Sequence, residues 1–410
     1  MRFIVLSFKR NILPFTFVLF AIFLVVFSKS NLTATANGLT LWATCVVPSL
    51  FPFFVITNLL SHTKVVDFIG RFLDKFMRPI FNVPGIGGFA FVMGLISGYP
   101  VGAKIVSDFR ERGSITKDEG ERMLAFTNNS GPLFILSSVG ISLFGDTKTG
   151  LLLLATHILS CITVGIILGK FSKKSDDNFR DNFINKSKIE NVNNKSKENN
   201  SQNLSFKNLG EVLGNSITTS INTLLMIGGF VVIFSVIISM MNQIHAFDFL
   251  SKFINPILKF IGFDLEFATP LLSGIIELTN GVKQVASVSI KAISQNVILC
   301  AFLLGFGGFS VLLQVFSIVS KTDLSMKKYF VGKLLQGIFA SIYTFLALKF
   351  IPFINLDIVE TANLASNSIS SASNSLIYLF FYHFGIFTIC IILLYIIFSI
   401  FNKLYNSHKV

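Results

Sequence analysis

A proline and three glycines interrupt the apolar run from about Gly85 to Val106, which reads Gly94-Leu-Ile-Ser-Gly-Tyr-Pro-Val-Gly-Ala-Lys104 at its centre. Pro100 has no N–H for a helical ladder and its ring clashes with the preceding turn, so no unbroken helix passes through. Irregular backbone at membrane depth is tolerated only inside protein or beside water, and an ionisable group there marks a solute or ion path. The stretch has both marks, a break and a charge. The other half of the chain carries a second version, Gly274-Ile-Ile-Glu-Leu-Thr-Asn-Gly-Val-Lys283, where Gly281-x-Lys283 repeats the spacing of Gly102-x-Lys104. Paired interruptions in two halves are the best sequence pointer to a transporter's binding site.

A chain that is 52% hydrophobic and only 13% charged, with 47 phenylalanines in 410 residues, is not an ordinary soluble protein. It reads as polytopic in the bilayer. Its net charge of +13 falls in loops, where Lys and Arg set topology, and no basic stretch is interleaved with aromatics for nucleic acid. Cys45, Cys161, Cys300 and Cys390 each stand alone in an apolar run, which points to packing rather than disulfides or metal. There is no His-Glu-x-x-His, Gly-x-Ser-x-Gly, Walker loop or acidic cluster, so no catalytic residue, cofactor or metal is expected. Transport by such a chain is expected to be passive or ion-coupled unless a partner supplies an ATPase.

The run Asn11–Ser28 follows Arg2, Lys9 and Arg10 and is read as a retained span; a signal peptide cleaved near Ala34-Thr-Ala36 is the competing reading. Gly38–Leu60, with Pro48 and Pro52, is expected to be a kinked span. From His62 to Pro84 apolar residues alternate with Asp67, Arg71, Asp74, Lys75 and Arg78, the pattern of an amphipathic helix in the membrane interface. Basic loops flank the interrupted segment on both sides, Lys64 to Arg78 before and Arg110 to Arg122 after. Both belong in the cytoplasm, so Gly85–Asp108 is expected to be a re-entrant hairpin with its tip at Gly98-Tyr99-Pro100. Met123–Leu143, broken at Asn128-Asn-Ser-Gly-Pro132, and Leu151–Phe171 complete the first half.

Residues 172–208 are rich in Asn, Ser and Lys and are expected to be a basic, disordered cytoplasmic linker. The pattern then repeats: a span Val212–Met241, an amphipathic stretch Phe249–Ile261, an interrupted segment Ala268–Ile290, and a broken span Ile293–Val319 with Gly305-Phe-Gly-Gly-Phe-Ser310 at the break. Phe330–Phe353, an outer loop Asn355–Asn374 and a last span Ser375–Phe401 follow. The fold expected is all-α, with about eight transmembrane helices and two re-entrant hairpins in two inverted repeats. Its parts are an N-terminal helix 1–37, repeats 38–171 and 209–354, the linker 172–208, and a C-terminal loop and helix 355–410.

Four stretches, Pro48-Ser-Leu-Phe-Pro-Phe-Phe54, Ser97-Gly-Tyr-Pro-Val-Gly-Ala-Lys104, Asn128-Asn-Ser-Gly-Pro132 and Glu277-Leu-Thr-Asn-Gly281, carry a resemblance. Nearly the whole chain apart from the linker resembles the YlbJ-type sporulation integral membrane proteins, whose halves belong to the Gate, or nucleoside-recognition, superfamily. The resemblance implies a carrier in the mother-cell membrane that becomes the outer forespore membrane, moving dipicolinic acid toward the spore. A nucleoside-type or other small organic-ion carrier, or a non-transporting membrane scaffold, are the alternatives; a coupling ion and a homo-oligomer stay open.

Dipicolinate is a flat aromatic dianion, which needs cations or helix N-termini for its carboxylates and a ring to stack on. Lys104 and Lys283 supply charge, the half-helices after Gly102 and Gly281 supply N–H groups, and Tyr99 supplies a ring. Both lysines read equally as snorkelling residues at helix ends. Ser97, Gly98, Asn128, Asn129, Ser130, Thr279 and Asn280 either line the pathway or satisfy backbone groups freed by the breaks. Glu277 is either a proton-coupling group or the ion-pair partner of Lys283. His157 reads as a hydrogen-bonded core residue.

Overall fold

A computed structural model describes residues 2–61, 63, 65–172, 208–288 and 293–350. Every regular element among them is helical. The expected linker, save its two end residues, and the expected last span Ser375–Phe401 lie outside the described residues.

Helices α1 (Arg2–Val26) and α2 (Ser28–Leu41) lead through a π-helical turn, Trp42–Val46, into α3 (Val47–Ser61). The π turn has a cause in Pro48. A proline gives no N–H and crowds the carbonyl four residues back, here Thr44, so the ladder widens in the preceding turn. The path from Ser28 to Ser61 is helical over 34 residues, and begins well before the expected start at Gly38.

Helix α4 (Val65–Phe81) is amphipathic as its sequence pattern requires: Phe68, Phe72 and Phe76 form an exposed stripe, and Met77 and Phe81 enter the core. It meets α5 (Ile86–Ser97) at 91°. The corner is tied by Asp74 Oδ1, which accepts from the Gly85 N–H at 2.8 Å, and by Arg122 Nη2, which donates to the Asn82 carbonyl at 2.7 Å. After Gly98 the chain doubles back as α6 (Val101–Glu111), and the arms close so tightly that a methyl group at Gly94 would stand 3.2 Å from Gly102 Cα.

Helix α7 (Lys117–Thr127) begins at a capping box, in which Thr116 and Glu119 satisfy each other's backbone N–H groups. Residues 128–131 leave the helix, a π-helical segment Phe134–Leu143 follows, and α8 (Thr147–Lys170) starts on Asp146 as its N-cap. The same order returns as α9 (Leu209–Gln243), α10 (Ala246–Phe260), α11 (Ala268–Ile276), α12 (Leu278–Ser287), α13 (Ile293–Phe306), α14 (Gly308–Val319) and α15 (Lys327–Phe350). Helix α10 repeats the exposed stripe of α4 with Phe249, Phe253 and Ile257.

Five helical paths among the described residues are long and apolar enough to cross a bilayer, and six if the bent α4–α5 pair is one span. The expected eight is therefore met only in part. One reason is visible at Met123–Leu143, where the break divides the run into pieces too short to span alone, and another is that the expected last span Ser375–Phe401 lies outside the described residues. Helix α15 packs along α8 and α13, with Gly305 against Gly337 and Thr344 Oγ1 donating to Thr156 Oγ1 at 3.0 Å. Small and hydroxyl residues are how helices approach closely where lipid offers no hydrophobic drive.

Candidate functional site

The two hairpin tips and the two helix breaks meet at the centre of the described fold. Gly98 has φ +82° and lies so close to the 128–131 break that a methyl group there would stand 2.7 Å from the Gly131 amide nitrogen. Gly102, on the returning arm, is pressed against the Thr127 carbonyl. The second half repeats the arrangement: Gly281 packs onto Gly274, and Gly308, at φ +78°, packs onto the Gly274 carbonyl and the Leu278 nitrogen. Each hairpin is thus seated in its own half's break.

Between them lies a cavity of about 60 Å³ walled by Ser49, Tyr99, Ser130, Glu277, Thr279 and Gln314 together with apolar side chains. At about 15 Å³ per water that is room for roughly four waters, whereas pockets that enclose an organic ligand hold about 300–1,000 Å³. As it stands the cavity is too small for an organic solute.

Glu277 is 2% exposed and caps α12, its carboxylate accepting from Thr279 N–H at 3.1 Å and Asn280 N–H at 2.7 Å. Those orphan N–H groups and the helix dipole are what stabilise a carboxylate at a helix N-terminus. Glu277 makes no ion pair among the described residues, with Lys283 or any other base. Asn280 Nδ2 donates to Ser235 Oγ at 2.8 Å, which ties the second tip to α9.

Around the first break, Asn128 Nδ2 donates to the Tyr329 hydroxyl at 2.7 Å and Asn129 Nδ2 to the Phe126 carbonyl at 2.7 Å. The Ser130 N–H donates to His157 Nε2 at 3.2 Å. His157 is a core residue serving the break. The Ser97 hydroxyl is bonded to the Thr57 hydroxyl on α3.

The two lysines singled out by spacing are elsewhere. Lys104 lines a separate cavity of about 30 Å³ with Thr57, Asn58 and Asp108, and Lys283 is exposed on α12. Neither lines the central cavity. A different cation does approach it: Lys333 on α15, 0% exposed, whose Nζ stands 5.2 Å from the centre of the Tyr99 ring. Sequence reading passed over Lys333 because it sits in the first turns of a long apolar run, where a lysine reads as snorkelling. Its signal is the company it keeps at helical spacing, Tyr329 four residues before and Gln336 three after.

The family model described as Gate, nucleoside recognition, matches residues 43–173 and 224–322. Each matched stretch contains one hairpin and one break. The chain is also similar to the sporulation integral membrane protein YlbJ of Bacillus subtilis (strain 168), with 38% identity over 324 residues, 78% of each chain.

Proposed function

We propose that this multi-pass membrane protein, which belongs to the Gate or nucleoside recognition family and is a YlbJ-type member of it, is a carrier for a small organic anion. Dipicolinate, taken across the mother-cell membrane that surrounds the forespore, is the substrate that the YlbJ relationship favours. One observation carries the carrier reading: four interruptions of the helical path, two from each half, converge on one small cavity whose largely apolar wall carries a few polar groups, Ser49, Ser130, Glu277, Thr279 and Gln314 among them. A scaffold needs no such centre, and each interruption frees backbone groups that cost several kcal/mol if left unpaired in the membrane.

Duplication supports a mechanism. Two stretches of the chain match the same family model, and in each a hairpin is seated in a break. With the loop charges placing the first hairpin on the cytoplasmic side and the second outside, the halves are inverted repeats, and rocking one against the other opens the cavity to each side in turn. The cavity has to widen before it can admit an aromatic dicarboxylate. Glu277, buried at the N-terminus of α12, is the group we assign to coupling.

The family's description favours a second reading, a nucleoside, and the largely apolar lining of the cavity, with the neutral polar groups of Ser49, Ser130, Thr279 and Gln314, suits it. Equilibrium binding to the purified protein separates the two. Dipicolinate binding with uridine and adenosine failing to compete supports the anion carrier, whereas binding of a nucleoside alone replaces it.

A further inference from the structure

Lys333 places a basic side chain in the described core at 0% exposure. Its ammonium is fully buried, and its hydrogen bonds run to two neutral oxygens, Gln336 Oε1 at 2.7 Å and Asn129 Oδ1 at 3.5 Å. Asn129 Oδ1 is shared, since Gln336 Nε2 also donates to it at 2.9 Å. Two aromatic faces lie nearby, Tyr99 at 5.2 Å and Tyr329 at 6.0 Å to the ring centres, and the Cys161 thiol and the His157 ring are close enough to feel the charge. No carboxylate among the described residues lies within 4.0 Å of Nζ. Moving an ammonium out of water costs several kcal/mol even after relaxation, and amide oxygens with aromatic faces return only part of that. The arrangement persists at a cost unless something negative completes it.

A second observation points the same way. The break beside Lys333 holds buried polar atoms with no partner, Thr127 Oγ1, Asn128 Oδ1 and His157 Nδ1, and a buried Ser130 hydroxyl that faces the Tyr99 hydroxyl. Native interiors leave few such atoms, and each calls for an explanation. Ser130 is 2% exposed, and it lines the central cavity together with Tyr99. The Tyr99 ring is therefore shared, forming cavity wall and also receiving the Lys333 ammonium on its face.

We infer that Lys333 Nζ and Ser130 Oγ form a carboxylate subsite of the central cavity, with the Tyr99 ring as the movable partition between the cation and the solute. The inference rests on the carrier reading of that cavity. The Tyr99 hydroxyl donates to the Leu304 carbonyl at 3.1 Å and also interacts with the Ser130 hydroxyl, so a rotamer change that breaks both contacts releases the ring. The ammonium then exchanges an aromatic face for a carboxylate, and the Ser130 hydroxyl donates to the same anion. Charge-assisted hydrogen bonds of this kind are about twice as strong as neutral ones. A ligand that pairs a buried charge also favours the conformation in which the pair forms, which links binding to movement.

The test uses the full chain in lipid nanodiscs and two probes of one shape, dipicolinate and its neutral analogue pyridine-2,6-dicarboxamide. Wild type is expected to prefer dipicolinate. In Lys333→Met that affinity should fall by about tenfold to a hundredfold, the range for hydrogen bonds to charged groups, with the diamide unchanged. Ser130→Ala should weaken dipicolinate less. Lys333→Gln keeps a hydrogen-bonding side chain and serves where the Met variant does not fold. Both variants should melt at or above the wild-type temperature without ligand, because an unpaired buried charge has gone. Wild-type dipicolinate affinity in either folded variant overturns the subsite and leaves the carrier reading standing. A wild type that binds neither probe but binds a nucleoside overturns the substrate reading itself, and with it this subsite.

Discussion

Tyr99 donates its hydroxyl hydrogen to the carbonyl of Leu304 at 3.1 Å, and the bond joins the tip of the first hairpin to the break in the second half. The acceptor is available because α13 ends at Phe306 and Gly307 turns away with φ +84°. Carbonyls in the last turn of a helix have no partner within it. A methyl group at Gly307 would come within 3.1 Å of the Tyr99 hydroxyl, so the ring fills the space that the missing side chain leaves.

Tyr99→Phe keeps the ring and removes the bond. A buried carbonyl left unpaired costs about 1–3 kcal/mol, so the variant should melt a few degrees below wild type. If the ring is the partition before Lys333, its solute off-rate should also rise. Unchanged melting and unchanged off-rate would mean that the bond is incidental.

Gly98→Val and Gly102→Leu test the seating of the hairpin. A β-branched residue at φ +82° is strained by about 1–3 kcal/mol, and its Cβ meets backbone of the 128–131 break rather than a side chain able to move. At Gly102 the added Cβ would fall 2.2 Å from the Thr127 carbonyl oxygen. Both variants should lose the monodisperse peak in size-exclusion chromatography or lose transport. Normal yield with normal transport would show the hairpin free to shift.

Arg110 grips Asp323 with two parallel bonds, Nε to Oδ1 at 2.8 Å and Nη2 to Oδ2 at 2.9 Å, and so ties the last turn of α6 to the loop before α15. The hydrogen bond from Arg110 holds the Asp323 carboxyl below its usual range. A depressed carboxylate stabilises above its unfolded pKa of about 3.9 and loses that contribution as pH falls through the folded value. The pair is largely exposed, so its worth is about 0–1 kcal/mol. Asp323→Asn should lower the melting temperature slightly at pH 7, and the difference should shrink from about pH 4 downward and vanish once the pH is below the depressed folded value. A constant difference across that range would assign the effect to something other than ionisation.

Topology is open to labelling in a background without Cys45, Cys161, Cys300 and Cys390. Cysteines at Ser114 and Ser196 should react only from the cytoplasmic side, and one at Ser370 only from outside. Reaction of position 114 from outside would remove the re-entrant hairpin.

What the residues announced in advance were interruptions and amphipathic stripes. Gly98, the 128–132 break and the Gly305–Ser310 run all appear as discontinuities because glycine and proline act locally on the backbone. The stripes of α4 and α10 appear because the helical period shows in the order of residues. Lys283 misled for a related reason: it keeps the spacing of Lys104 from a glycine, yet Leu278, Gly281, Val282 and Val285 take the buried face of α12 and turn Lys283 outward. Lys333 is less legible because its burial depends on α7, α8 and α13 packing around α15, and the polar neighbours at helical spacing, Tyr329 and Gln336, do not by themselves record that burial. The π-helical segment Phe134–Leu143 likewise has no sequence signal that we can name.

Uptake of labelled dipicolinate by proteoliposomes containing only this purified protein tests the central claim most directly. The account predicts saturable uptake that unlabelled dipicolinate competes away, that uridine does not, and that Lys333→Met reduces by about tenfold or more. Uptake equal to that of empty liposomes, from protein shown to be folded and inserted, would contradict it.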